Sequence, residues 1–164
     1  MAAPTATPGL ERFQQLVATV AKSLDGRALD AGLAAWLNQH YGADSAWYTQ
    51  MHAACASGVA QGWLCQRENA GIRWGRVFEA GPALGGFSVD VVQMKDLAGP
   101  HHTHPLGEID LILPITPGAL FDGHPAGWCV YGPGSAHRPT VSRGEAWVLY
   151  LLPAGQIQFT RAAA

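Results

Sequence analysis

Three of the chain's seven histidines and one carboxylate fall within eight residues, His101-His102-Thr103-His104-Pro105-Leu106-Gly107-Glu108. On a β-strand, side chains two apart project from one face. His102 and His104 therefore aim together, and Glu108, four residues on, shares their parity. Two imidazoles and a carboxylate directed at one point are the ligand mix of a divalent transition-metal site with open positions. A fourth candidate follows in Gly132-Pro133-Gly134-Ser135-Ala136-His137, where a Gly-Pro-Gly turn feeds His137 into a following strand. Iron, manganese, nickel and zinc all suit such a donor set.

Other residues could act on a small ligand beside such a centre. Arg73, Arg76 and Arg138 are candidate anchors for a carboxylate, which a guanidinium matches with two parallel hydrogen bonds. Arg73 and Arg76 have opposite parity, so at most one faces an interior, and Arg138 is expected to point outward if His137 points in. Trp74 and Tyr131 belong to an aromatic excess that would suit a flat ring. His124, in the turn Phe121-Asp122-Gly123-His124-Pro125, is a candidate proton donor at a pocket mouth. Asp110 shares the parity of Glu108 and is placed either to support a ligand histidine or to face solvent at a strand end. His101, of opposite parity, is expected to point away.

The elements that must position these groups change character at Trp63. Before it, apolar residues recur at helical spacing: Leu10, Phe13, Leu16, Val17, Val20 and Leu24 behind a Thr7-Pro8 start, then Leu33, Trp36 and Leu37, then Trp47, Met51, Ala54, Cys55 and Val59. This predicts three amphipathic helices, the second over about 29–41 and the third capped by Asp44 or Ser45. After Trp63 the period is two. Ile72-Trp74-Arg76, Phe87-Val89-Val91-Gln93 and Ile109-Leu111-Leu113 alternate, and Trp128–Tyr131, Ala146–Leu152 and Ile157–Phe159 are short runs bounded by Gly or Pro. Helices followed by antiparallel strands imply one mainly β domain with a helical N-terminal segment.

Composition excludes several functions. A net charge of -2 offers no nucleic-acid or polybasic membrane footprint, and no apolar run approaches a membrane span. Only 13% of residues are charged against 48% hydrophobic, so a covering partner, in the form of a homodimer, is expected. Cys55, Cys65 and Cys129 are odd in number and form no CxxC pair, which predicts reduced, buried thiols in a cytoplasmic protein.

The pairing of H-x-H-x-x-x-E with a later G-x-x-H resembles the two motifs of the cupin superfamily. That resemblance implies a cupin-type antiparallel β-barrel (a double-stranded β-helix or jelly roll) and carries the metal-ligand roles to His102, His104, Glu108 and His137. Cupins usually hold Gly where this chain has Asp96, and the Gly expected after the Glu falls on Ile115, with Gly118 three residues later. The implied division is a flexible tail over 1–7, helices over 8–62 packing on the barrel or on a partner subunit, and the barrel over 63–162. The longer runs H-T-H-P-L-G-E-I-D-L, F-D-G-H-P-A-G-W-C-V-Y-G-P-G-S-A-H-R-P-T-V and W-V-L-Y-L-L-P-A-G-Q-I-Q-F resemble a family of small bacterial cupins that includes 4-hydroxylaminobenzoate lyase. This closer resemblance implies an aromatic acid substrate, release of ammonia, and catalytic roles for Glu108 and His104. Glu108 would be either a metal ligand or, without metal, a proton donor of raised pKa. A dioxygenase on an aromatic or diketone substrate would use the same ligands, and a non-catalytic small-molecule-binding cupin is the third reading.

Overall fold

The computed structural model describes residues 8–161; the expected tail over 1–7, with Thr7 as a helix cap, lies outside them. Three helices come first: α1 (Pro8–Ser23), α2 (Ala31–Tyr41) and α3 (Ala46–Gln61). The second and third start where a side chain satisfies a free backbone N–H. Asp30 accepts from Leu33 N at the start of α2, and Ser45, of the two candidates, accepts from Tyr48 N at the start of α3. Gly62 closes α3 in the left-handed conformation.

The strands follow as β1 (Arg67–Asn69), β2 (Ile72–Phe78), β3 (Phe87–Ala98), β4 (His102–His104), β5 (Glu108–Pro114), β6 (Leu120–Phe121), β7 (Gly127–Tyr131), β8 (Ser135–His137), β9 (Thr140–Pro153) and β10 (Gln158–Phe159). All pair antiparallel, in two sheets. The larger has the order β1-β2-β3-β9-β5-β7, with β6 on the end of β9; the smaller is β10-β4-β8. This mainly β arrangement follows the strand pattern, and its two facing sheets form the jelly-roll barrel that the cupin resemblance implies.

Alternation decides what each face of the large sheet meets. Val89, Val91, Ile109, Leu111, Leu113, Leu149 and Leu151 join the helix residues Phe13, Leu16, Leu37 and Met51 in one core. Met94, Ile112, Val148, Tyr150 and Leu152, of the opposite parity, form a second core on the barrel side. Both faces are therefore dry, which explains why Ala146–Leu152 reads as an unbroken apolar run. The helices pack on this chain's own sheet and are tied to its backbone. Tyr48 donates to the Ile112 carbonyl at 2.7 Å, and Trp128 Nε1 to the Tyr41 carbonyl at 2.9 Å. Asn38 pairs with both the N–H and the C=O of Trp128, at 2.8 and 3.0 Å, closing the edge of β7. Much of the charge-poor composition is accounted for by this double burial. Among the described residues no helix is long and apolar enough to cross a membrane, and all three cysteines are free and buried.

Two backbone positions bear on the family pattern. Asp96, standing where cupins usually hold Gly, has φ +44° at the register shift between β3 and β9, and its carboxylate accepts from Gly144 N at 2.9 Å. Asp is among the few residues that tolerate this region. Gly107 has φ +92°, and an added Cβ there would lie 2.7 Å from both the Tyr131 carbonyl and Leu29 Cδ2. Gly134 has φ +80° but open space around it. Gly107→Ala is therefore expected to destabilise the chain by about 2–4 kcal/mol, from left-handed strain plus overlap with backbone, and Gly134→Ala by only about 1 kcal/mol. Denaturant unfolding of the two variants beside the parent measures both; equal losses would contradict the packing at Gly107.

Candidate metal centre

His102 and His104 lie on β4 with Thr103 between them, and both are buried. Pairing of β4 with β8 sets His102 opposite His137. Glu108 reaches the group differently from the expectation of one continuous strand. The chain leaves β4 after His104, turns through Gly107, and begins β5 in the other sheet. The carboxylate thus faces the imidazoles across the barrel, and its shared parity with them is not what directs it.

The four groups converge, with the potential ligand atoms all within 4.8 Å of one another. Glu108 Oε2 lies 3.0 Å from His104 Nε2 and 3.6 Å from His137 Nε2, Glu108 Oε1 lies 3.9 Å from His102 Nε2, and the Nε2 atoms of His102 and His137 are 3.0 Å apart. The outward nitrogens determine what the inward ones carry. His102 Nδ1 meets the Pro100 carbonyl at 3.2 Å, and His137 Nδ1 meets Asp122 Oδ2. His104 Nδ1 meets Ser135 Oγ at 3.0 Å, and that hydroxyl already donates its proton to the Gly132 carbonyl. All three partners are acceptors, so each Nδ1 bears the hydrogen, and each Nε2 presents a lone pair inward whenever its imidazole is neutral. With the imidazoles neutral, three lone pairs and a carboxylate share one small space, and His104 Nε2 and both Glu108 oxygens are buried without a hydrogen bond until a proton or a cation enters.

Such a cluster calls for positive charge at its centre, from a proton or a metal ion. Burial pushes Glu108 toward its neutral form, but hydrogen bonds and charge from His104 and His137 outweigh it and hold the carboxyl at about 2. That is opposite to the raised value a proton-donating Glu108 needs. Burial lowers His102 to about 4; at His137 it is overcome by Asp122 and Glu108, which lift the imidazole to about 9. The donor set, three imidazole nitrogens and one carboxylate with orphaned buried atoms, fits a divalent transition metal.

The remaining candidates divide by position. A cavity of about 1010 Å³ opens beside the centre, and His102, Trp74, Arg76, Arg138 and Phe159 all line it. Arg73, of opposite parity on β2, is not part of its wall. Arg138, just past the end of β8, is exposed as expected and still borders the cavity. Tyr131 sits behind the imidazoles, its ring centroid 4.5 Å from that of His137, with its hydroxyl donating to Asp122. His124 is exposed in its turn, away from the cavity wall. Asp110 is fully buried with both oxygens unpartnered, and burial with the adjacent Glu108 charge pushes its carboxyl well above the usual range. His101 points outward to Thr160 Oγ1 at 2.9 Å.

Sequence reasoning missed Asp122 and Ser135. Asp122 accepts from His137 Nδ1, Tyr131 Oη and Thr140 N, and it holds φ +48° to do so. The signal was an Asp-Gly turn next to the His124 that drew attention instead. A carboxylate behind a ligand histidine fixes its tautomer and raises its basicity. Asp122→Asn is expected to weaken binding of zinc or manganese to the metal-stripped protein about 10–100-fold, read by calorimetric titration. Unchanged affinity would detach Asp122 from the centre.

Comparison with known proteins assigns the chain to a family. The family profile described as 4-hydroxylaminobenzoate lyase matches residues 15–159. A 4-hydroxylaminobenzoate lyase of Pseudomonas putida is 33% identical over 150 residues, spanning 81% of this chain and 85% of its own. One from Nocardioides sp. (strain LMS-CY) is 36% identical over 146 residues, spanning 83% and 86%. Among solved structures, the DMSP lyase DddQ of Ruegeria pomeroyi superposes with a TM-score of 0.41 at 21% identity, over 94% of this chain and 98% of that one. With a profile covering most of its length and two relatives above 30% identity, the chain belongs to the 4-hydroxylaminobenzoate lyase family.

Proposed function

We propose that this chain converts 4-hydroxylaminobenzoate and water into 3,4-dihydroxybenzoate (protocatechuate) and ammonia, as a step in nitroaromatic degradation. The observation that carries the reading is the buried cluster of three inward lone-pair nitrogens and one ionised carboxylate, opening through His102 into the cavity of a chain of this family. The reaction balances without an oxidant. The N–O bond breaks with its electron pair on oxygen, which takes a proton and leaves as water. A second water adds at the adjacent ring carbon and loses a proton, and a third hydrolyses the resulting imine to release ammonia.

His102, His104, His137 and Glu108 would hold a divalent metal, whose Lewis acidity at the N–O oxygen is the chemistry it supplies when bound. The chain's own groups do the rest. Pro100, Ser135 and Asp122 keep the three imidazoles in one tautomer and orientation. Glu108, held ionised, serves as a proton acceptor through the oxygen not given to a metal, and His104, 3.0 Å away and fixed by Ser135, positions it. Trp74 and Phe159 line the path of the aromatic ring and limit bulk water around it. Buried free thiols suit a reducing, cytoplasmic setting.

The purified protein is expected to contain about one divalent metal per chain and to release ammonia from 4-hydroxylaminobenzoate under anaerobic conditions. His104→Ala is expected to lose the metal and to lower kcat/KM more than about 100-fold. Metal analysis with an ammonia assay measures both. Oxygen consumption with no ammonia would move the reading to a dioxygenase, and full activity of His104→Ala would remove the metal from the mechanism.

A further inference from the structure

The charges on the cavity wall differ in availability. Arg76 is already paired: its Nε lies 3.2 Å from Asp90 Oδ1, its Nη1 3.2 Å from Glu79 Oε2, and its Nη2 donates to the Gly155 carbonyl at 3.4 Å. Any further anion there meets the field of two carboxylates. Arg138 lines the same cavity. Among the described residues its guanidinium has no carboxylate partner, and the hydrogen bond it makes, with the Thr140 hydroxyl, runs through its backbone carbonyl. Arg67 also borders the cavity, but on β1, four strands from β5 in the large sheet. At ~4.8 Å per strand that is roughly 19 Å along the sheet from Glu108.

Arg138 also adjoins the centre along the chain. It follows His137, which pairs with His102, the one cluster imidazole on the cavity wall. Phe159 flanks the same opening, with its ring centroid 5.9 Å from that of His102. A benzoate with its para nitrogen at the cluster carries its carboxylate one ring's length out into the cavity, whose lining includes this exposed guanidinium. Guanidinium and carboxylate make a bidentate, charge-assisted pair.

We propose that Arg138, rather than Arg76 or Arg73, determines specificity for aromatic acids by binding the substrate's carboxylate at the cavity rim, while the Arg76–Asp90–Glu79 group forms part of the wall. This rests on the aromatic-acid reading given above. The test is calorimetric titration of the metal-loaded full chain with 4-hydroxybenzoate and with 4-hydroxybenzamide, which lacks the charge. Arg138→Gln is expected to bind the acid about tenfold more weakly, with affinity for the amide and metal content unchanged. Arg76→Gln is expected to keep the parent's preference for acid over amide. Parent-like acid binding by Arg138→Gln, or loss of the preference in Arg76→Gln alone, overturns the assignment of Arg138. A metal-loaded parent that binds neither compound overturns the aromatic-acid reading along with it.

Discussion

A fully buried, ionised Glu108 is the constraint on which the rest of the structure depends. An isolated carboxylate out of water is so costly that it would normally take up a proton. Here three imidazoles close around it, and the structure is organised to keep them there. Two come from one short strand, the third from the strand hydrogen-bonded to it, and the carboxylate from the opposite sheet. The site therefore exists only when the two sheets face each other at the right separation, and whatever holds the sheets together also assembles the chemistry.

The helical segment contributes to that indirectly. Its residues cover the outer face of the large sheet, so β5 and β9 are dry on both sides. A strand solvated on one face could shift or twist with less penalty. One packed on both faces, with Tyr48 and Asn38 bonded to the backbone of β5 and β7, holds its register. Register matters here because a slip of one residue would turn Glu108 toward the helices and Ile109 toward the imidazoles. The three helices are thus part of what aims a carboxylate they never touch.

Much of this was legible in the sequence, and the limits have physical causes. The change of period at Trp63 gave the order of helices and strands, because burial imposes 3.6 or 2 on the apolar positions. The ligand set was legible because imidazoles two apart are informative wherever a strand is present. Glu108 was selected for a local reason that does not hold, since Gly107 ends the run and sends the chain to the other sheet. Parity gave Arg138 as outward, and it is exposed, but parity could not show that the outward side borders the cavity. Asp122 and Ser135 were not legible, because their roles depend on contacts 15 and 31 residues away that no local pattern encodes. Asp110, by contrast, followed the parity of Glu108 into the interior, where nothing in the sequence indicated that it would lack a partner.

The three imidazoles are alike as ligands but are held differently, and this gives the centre a direction. His102 leans on a backbone carbonyl, His104 on a serine hydroxyl, and His137 on a carboxylate that Tyr131 also engages. Basicity rises with the charge of the partner, so His137, packed against Tyr131, is the strongest donor. His102, with the neutral backbone partner, is the one on the cavity wall. A ligand entering from the cavity thus meets the more weakly supported imidazole first, with the anionic support behind the centre. That polarity suits a reaction in which negative charge develops on an oxygen arriving from the cavity side, since the incoming group is kept away from Asp122.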